Sequence, residues 1–235
     1  MAEMCGNGLR VAAKYVYDSL DTSDKHARTM LFETGRGTLS VEVVEVDSNG
    51  LASQLRINMG TPLLSAAAIP CTAACDSATP FPIKNADGRA LTVHAIGMGN
   101  PHCVHFLEAK DDELDSFPVS QWGSFIERNI ELFPKRTNVE FVRVASRSEV
   151  HQRTWERGSG ETQACGTGAC ATVVAGILTN RLDHDVSVHL RGGILRISWP
   201  GPEHAVMMTG PATLVFQGSI TPTQLKMMVD CGSTS

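Results

Sequence analysis

The sequence predicts an α+β protein built from two similar domains related by a pseudo-twofold axis. Three observations carry this. Two short motifs, Met4-Cys5-Gly6-Asn7-Gly8 and Ala164-Cys165-Gly166-Thr167-Gly168, stand far apart in a chain of 235 residues, and each opens an apolar, alanine-rich segment of helical character. Behind each helix comes a run of short β-prone stretches. Aligning Cys5 with Cys165, an offset of 160 residues, also superposes Gly6 on Gly166 and Gly8 on Gly168. Further on, Gly35-Arg36-Gly37-Thr38-Leu39-Ser40-Val41 resembles Arg191-Gly192-Gly193-Ile194-Leu195-Arg196-Ile197, and Met59-Gly60-Thr61-Pro62 resembles Thr209-Gly210-Pro211-Ala212. Repetition of one helix-then-strands unit is the mark of a duplicated domain.

The first helix runs from its motif to about residue 18 and ends in the polar loop 18–27. Alternation and β-branched content predict strands over 29–34, 37–46 and 51–59, with Gly35 and Gly37 bounding one turn and Ser48-Asn49-Gly50 forming the next. Residues 61–79, rich in Ala, Pro and Cys, read as a connector. Strands over 91–95 and 102–108 follow, joined by a turn around Gly97, Gly99, Asn100 and Pro101. After the charged loop 110–116, Val119, Trp122, Phe125, Ile126 and Ile130 recur at helical spacing and predict a helix over 119–132. Strands over 138–145 and 149–155 lead to the second motif and its helix over 169–178. Short strands are then predicted at 186–189, 194–199, 205–209 and 213–218, with a closing helix over 221–229 and a loose tail.

Composition narrows the function. A net charge of -5 without any block of Lys and Arg excludes nucleic acid as the main partner, because phosphate binding needs a concentrated basic surface. Seven cysteines, an odd number in a mid-sized chain with no signal peptide, point to reduced thiols in a cytoplasm. Apolar runs reach about half of the ~20 residues that a membrane span needs. A small molecule is the expected ligand.

Each motif cysteine precedes a helix, where unpaired N–H groups and a partial positive charge bind carboxylates and favour thiolate. Two such thiols on opposing domains suit inversion at a carbon bearing hydrogen: one removes the proton from one face, the other delivers a proton to the opposite face, and the roles exchange in reverse. No cofactor is expected. Gly166-Thr167-Gly168 lacks the third glycine of a dinucleotide loop, and no Gly-Lys-Ser/Thr occurs. Carbanion charge must then be stabilised electrostatically, on the N–H groups of Gly6, Asn7, Gly166 and Thr167.

No metal site is expected either. Cys71 and Cys75 have no matching second pair, and His102 and His105, three apart on a strand, point to opposite faces. Cys71, Cys75, Cys103, Cys170 and Cys231 read as core thiols. On residue type alone Asn100 and Asn138 also fit turn or strand-start roles. Adjacent Glu156 and Arg157 also fit a surface ion pair, although their place just before the glycine-rich block favours a site.

Four stretches carry a family resemblance: Glu3-Met4-Cys5-Gly6-Asn7-Gly8, Gly99-Asn100-Pro101-His102, Asn138-Val139-Glu140-Phe141, and the block from Glu156-Arg157-Gly158 through Cys165-Gly166-Thr167-Gly168. Together they resemble the diaminopimelate epimerases over essentially the whole chain. Cys-Gly-x-Gly alone also fits proline racemases, but the Glu-Arg-Gly block and Asn7 in place of a histidine favour the epimerase.

The resemblance implies cofactor-independent, two-base interconversion of LL- and meso-diaminopimelate in lysine and peptidoglycan-precursor synthesis. It implies that each domain is a curved, mostly antiparallel sheet around a central helix, with the site in the cleft between them. Cys5 and Cys165 would be the acid/base pair. Asn100 and Asn138, with Glu156 and Arg157, would hold the distal amino-acid end of the substrate. Gly6, Asn7, Gly166 and Thr167 would hold the reacting carboxylate, and His102 and Glu156 would tune the cysteine acidities. A cytoplasmic homodimer is implied as well.

Residues 1–75, completed by 219–235, form the expected first domain, and 76–218 the second. Only four residues precede Cys5, whereas family members carry roughly 65 more there, so the repeat leaves the first domain truncated and Met1 reads as an internal methionine. Two alternatives stand beside this reading. One is another racemase of the same fold acting on proline, hydroxyproline or histidine; the other is a non-catalytic relic that binds a ligand or partner through an exposed sheet edge.

Overall fold

The helix behind the second motif, α3 (Gly166–Leu178), is buried at every residue from Gly166 to Gly176. A helix apolar all the way round has to be enclosed, and the remaining elements do this. The structure, a computed structural model, describes residues 6–21, 26–35, 37–73, 76–108, 111 and 113–222. In chain order these form α1 (Gly6–Ser19), β1 (Thr29–Thr34), β2 (Gly37–Val46), β3 (Ala52–Asn58), β4 (Phe81–Lys84), β5 (Ala90–Gly97), β6 (Pro101–Phe106), α2 (Val119–Glu127), β7 (Asn138–Ser146), β8 (Glu149–Glu156), β9 (Gly160–Thr162), α3, β10 (Asp185–Leu190), β11 (Gly193–Ser198) and β12 (Met207–Pro211). The α+β class is as expected.

All the strands belong to one hydrogen-bonded path, β1-β2-β3-β12-β11-β10-β8-β7-β6-β5-β4, with β9 added to β8. Only β6/β7 and β10/β8 pair in parallel. Parallel neighbours need a crossover connection, and the two longer helices of the second half supply them: α2 lies between β6 and β7 in sequence, α3 between β8 and β10. Strands β5, β6, β7 and β11 pack on α3.

The amino-terminal strands join this sheet through β12, which runs antiparallel to β3 with Met208 opposite Ile57. Helix α1 docks beneath them on a stripe of Gly6, Arg10, Ala13, Lys14 and Tyr17, a helical period. Its polar members are anchored. Lys14 Nζ donates to the Ala52 carbonyl at 2.6 Å and pairs with Asp18 at 2.8 Å, while Asp18 accepts from the Ala52 N–H at 2.8 Å. Arg10 donates to the Pro211 carbonyl at 3.2 Å. One core surrounds α3 and α1; a second, built on Trp122, Ile126, Phe117, Phe133 and Phe141, lies under α2.

Two predicted elements differ. The helix over 119–132 stops at Glu127, because the Asn129 side chain accepts from the Leu132 N–H at 3.0 Å and turns the chain; Ile130 is left exposed. The strand over 213–218 does not form. Three consecutive apolar residues there, Leu214, Val215 and Phe216, remain exposed beyond β12, with no partner strand among the described residues to take their backbone groups. Strands β4 and β9 are additions, and the predicted closing helix from residue 223 onward lies outside the described residues. No helix among the described residues is long and apolar enough to cross a membrane.

Ile57 is fully buried where the two groups of strands meet. Ile57→Ala is expected to lower the unfolding free energy by about 2–5 kcal/mol in chemical denaturation, whereas Val215→Ala should change it by less than about 0.5 kcal/mol.

Candidate active site

Enclosing α3 also encloses its amino terminus. Cys165 is the N-cap, with extended backbone at φ -128 and ψ 112, and its Sγ accepts from the Gly168 N–H at 3.4 Å. Thr167 Oγ1 lies 3.4 Å from the same sulfur. The Ala169 N–H is taken by the Cys165 carbonyl at 3.0 Å. N–H groups in the first turn of a helix bind anions.

Burial pushes the Cys165 thiol far above its ordinary range, and the Glu156 carboxylate adds to this. The Thr167 hydroxyl and Gly168 N–H act in the opposite direction but do not win. A helix N-terminus was expected to favour thiolate; here desolvation outweighs it, and the unliganded Cys165 is a thiol. Cys71, Cys103 and Cys170 are likewise buried and unpaired, as expected for core thiols. Cys5, Cys75 and Cys231 lie outside the described residues.

The start of α1 comes to the same place. A Cβ on Gly6 would stand 2.6 Å from Met208 Cε, and one on Gly166 would stand 3.0 Å from Met208 Sδ and 3.5 Å from Asn7 Oδ1. One methionine side chain therefore sits between the two helix N-termini, in close contact with a glycine of each motif. Asn7 Oδ1 is buried with no hydrogen-bond partner.

A line of polar groups reaches Cys165 from the sheet. Glu140 Oε1 is 2.9 Å from His102 Nδ1, His102 Nε2 is 3.0 Å from Asn100 Oδ1, and Asn100 Nδ2 donates to Thr167 Oγ1 at 3.4 Å. His102 and Glu140 face each other across the parallel strands β6 and β7, both fully buried. His105 points to the opposite face, where Nδ1 meets the Thr92 carbonyl at 2.8 Å and the ring lies against Phe117.

Asn138 occupies a hub rather than an open wall. Its Nδ2 donates to the Pro101 carbonyl at 3.0 Å and its Oδ1 accepts from the Arg157 N–H at 2.9 Å, tying the Asn-Pro turn to the Glu156-Arg157 segment. Glu156 is half-buried and accepts from Thr162 at 2.5 Å. The Arg157 guanidinium donates to the Lys135 carbonyl at 2.8 Å. These contacts bring Gly6, Asn7, Asn100, His102, Cys165, Gly166 and Thr167 together, and Asn138 ties that group to the Arg157 backbone, while the Arg157 guanidinium turns to the Lys135 carbonyl and Glu156 to Thr162.

Three contributors escape sequence reasoning. Glu140 is one; its signal is a carboxylate inside the otherwise apolar run of β7, a placement that demands a buried partner. Met208 is the second, and nothing in the sequence marks it. Glu127, at the end of α2, accepts from Trp155 Nε1 at 2.8 Å and from the Gly158 N–H at 2.7 Å and also pairs with Arg136, so it fixes the turn that follows Arg157. Among the described residues one His/Glu group has donor spacing for a metal, Glu149, His151 and His189. It is solvent-exposed and, among the described residues, neither imidazole Nδ1 is held by a hydrogen bond, so it lacks the outer support metal-binding histidines have.

Solved structures share the fold. A hydroxyproline epimerase from Agrobacterium vitis superposes with a TM-score of 0.62 at 11% identity over 88% of this chain and 64% of that one. A phenazine biosynthesis protein of the PhzF family from Enterococcus faecalis gives 0.55 at 15% identity over 92% and 72%. The diaminopimelate epimerase family profile matches residues 94–215. Diaminopimelate epimerases from Leptospira biflexa and Agathobacter rectalis are 41% and 45% identical, each over 93% of this chain and 75% of the relative. The chain belongs to the diaminopimelate epimerase family.

The raised Cys165 acidity has a direct consequence. A thiol whose folded pKa lies above 9.0 stays protonated below about pH 9, so the ultraviolet thiolate signal of the unliganded protein should be the same for wild type and Cys165→Ala between about pH 6 and 8.5. A thiolate lost from that window in the variant would contradict the assignment.

Proposed function

We propose that this chain epimerises LL-2,6-diaminopimelate to the meso form without a cofactor, using Cys5 and Cys165 as the two bases. The single observation that carries the reading is the Cys165 thiol capping a buried helix beside the start of α1. Family membership supplies the substrate.

In one direction the Cys5 thiolate removes the α-proton and the Cys165 thiol delivers its own to the opposite face. Negative charge moves onto the α-carboxylate oxygens in the transition state. There the N–H groups of Gly166 and Thr167, with those of Gly6 and Asn7, stabilise it at no cost of reorganisation. In the reverse direction Cys165 must become the thiolate, and the positive charge of the substrate's α-ammonium favours that state. Glu156 suits the distal ammonium, Arg157 the distal carboxylate, and Asn100 and Asn138 orient that end. His102 and Glu156 adjust the acidities of the two thiols.

In this reading residues 1–75, completed by 219–235, and residues 76–218 are the two domains flanking the cleft, and the enzyme works in the cytoplasm as a homodimer in lysine and peptidoglycan-precursor synthesis. Deuterium incorporation at the α-carbon in heavy water tests the chemistry. Cys5→Ala and Cys165→Ala are each expected to lower exchange by about 10²–10⁴-fold or more, with Cys71→Ala near wild type, and the wild-type rate should be bell-shaped in pH. Exchange into proline with none into diaminopimelate would overturn the substrate. A fully active Cys165→Ala would overturn the mechanism.

A further inference from the structure

Glu140 stands in β7 between Val139 and Phe141, fully buried, and its Oε2 has no hydrogen-bond partner. The carboxyl group is pressed beneath the first turn of α3, where a Cβ on Gly168 would overlap it. Its other oxygen begins the line through His102, Asn100 and Thr167 to the Cys165 sulfur.

The proton count along that line is constrained. An amide oxygen only accepts, so the His102 Nε2 that meets Asn100 Oδ1 must carry hydrogen. Two states of Nδ1 remain. It either accepts from a protonated Glu140, or bears a second proton and faces a carboxylate. The second state buries two charges and leaves one anionic oxygen with no donor, which is the costlier arrangement. Burial acts the same way, raising the Glu140 carboxyl above its ordinary range even against the pull of His102.

We propose that Glu140 is a positioning residue that works as a carboxylic acid: it donates to His102 Nδ1, holds the imidazole as the Nε2–H tautomer, and so turns the Asn100 amide nitrogen toward Thr167 and the substrate. This rests on the reading above in which Asn100 contacts the substrate. With Glu140 gone, the ring is free to place its hydrogen on Nδ1. Asn100 then flips to donate to the bare Nε2, and an acceptor stands where the site needs a donor. The path has no proton transfer to substrate in it; Glu140 acts through His102 and Asn100 alone.

Glu140→Gln separates this from a merely structural role, because the glutamine N–H can replace the acid O–H at Nδ1. The glutamine variant is expected to keep kcat/KM within about threefold of wild type, whereas Glu140→Ala raises KM by about tenfold or more with a smaller change in kcat, the pattern of a lost polar contact to a charged ligand. Nitrogen NMR of the His102 ring supplies the direct readout: Nε2 protonated and Nδ1 bare in both wild type and Glu140→Gln. An imidazolium or an Nδ1–H tautomer in the wild type would overturn the proposal, as would a glutamine variant as impaired as the alanine one. The wild-type spectrum decides even where Glu140→Ala fails to fold. Absence of diaminopimelate turnover in the wild type would instead sink the proposed function while leaving the tautomer measurement intact.

Discussion

The structure depends on one constraint: α3 has no polar face. A helix that shows apolar atoms in every direction cannot lie on a surface, so β5, β6, β7 and β11 wrap it and its amino terminus ends inside the protein. Helix termini leave backbone N–H groups without intrahelical partners, and burying such groups unmet is costly. The fold answers with the Cys165 sulfur, which takes the Gly168 N–H. The burial of this helix start is therefore a consequence of the core, not an addition to it.

That origin sets the electrostatics. The first turn of a helix draws negative charge toward it, yet the enclosure that delivers the turn to the interior also removes the water that would solvate a thiolate. For Cys165 the second effect is larger, and the Glu156 carboxylate reinforces it. With the thiol protonated, the positive end of the enclosed helix remains for a carboxylate group.

Much of this was legible in the sequence. Strands 29–34 and 37–46 fall where alternation puts them, because an antiparallel hairpin with one face inward writes its period directly into the chain. The two Cys-Gly-x-Gly stretches marked helix starts for a similar reason: glycine is needed where Met208 and the Glu140 carboxyl come within contact of the helix backbone. Legibility failed where a local interaction overrides the pattern. Asn129 ends α2 through its own side chain against a periodicity that runs on to Ile130. Strand β9 is only three residues long, inside a glycine-rich block, and β4 contains Pro82, which argues against strand by itself. Residues 213–218 have β-prone composition, but a strand is a relation between two segments, and composition reports only one of them.

The site residues divide along the same line. Cys165, Gly166 and Thr167 sit at a helix end, which sequence spacing reveals. Asn138 acts through both ends of its amide, on Pro101 and on Arg157 N–H, and Glu127 acts on the Gly158 N–H from a different helix. Those connections exist only after β6, β7, β8 and α2 have been brought together, so no local pattern encodes them. The two motif helices also differ in their enclosure. Helix α3 is sealed on all sides, whereas α1 buries a single stripe and leaves Val11 and Tyr15 exposed. Enclosure on every side is what takes the first turn of α3 into the interior, whereas a single buried stripe is enough to bring Gly6 of α1 against Met208.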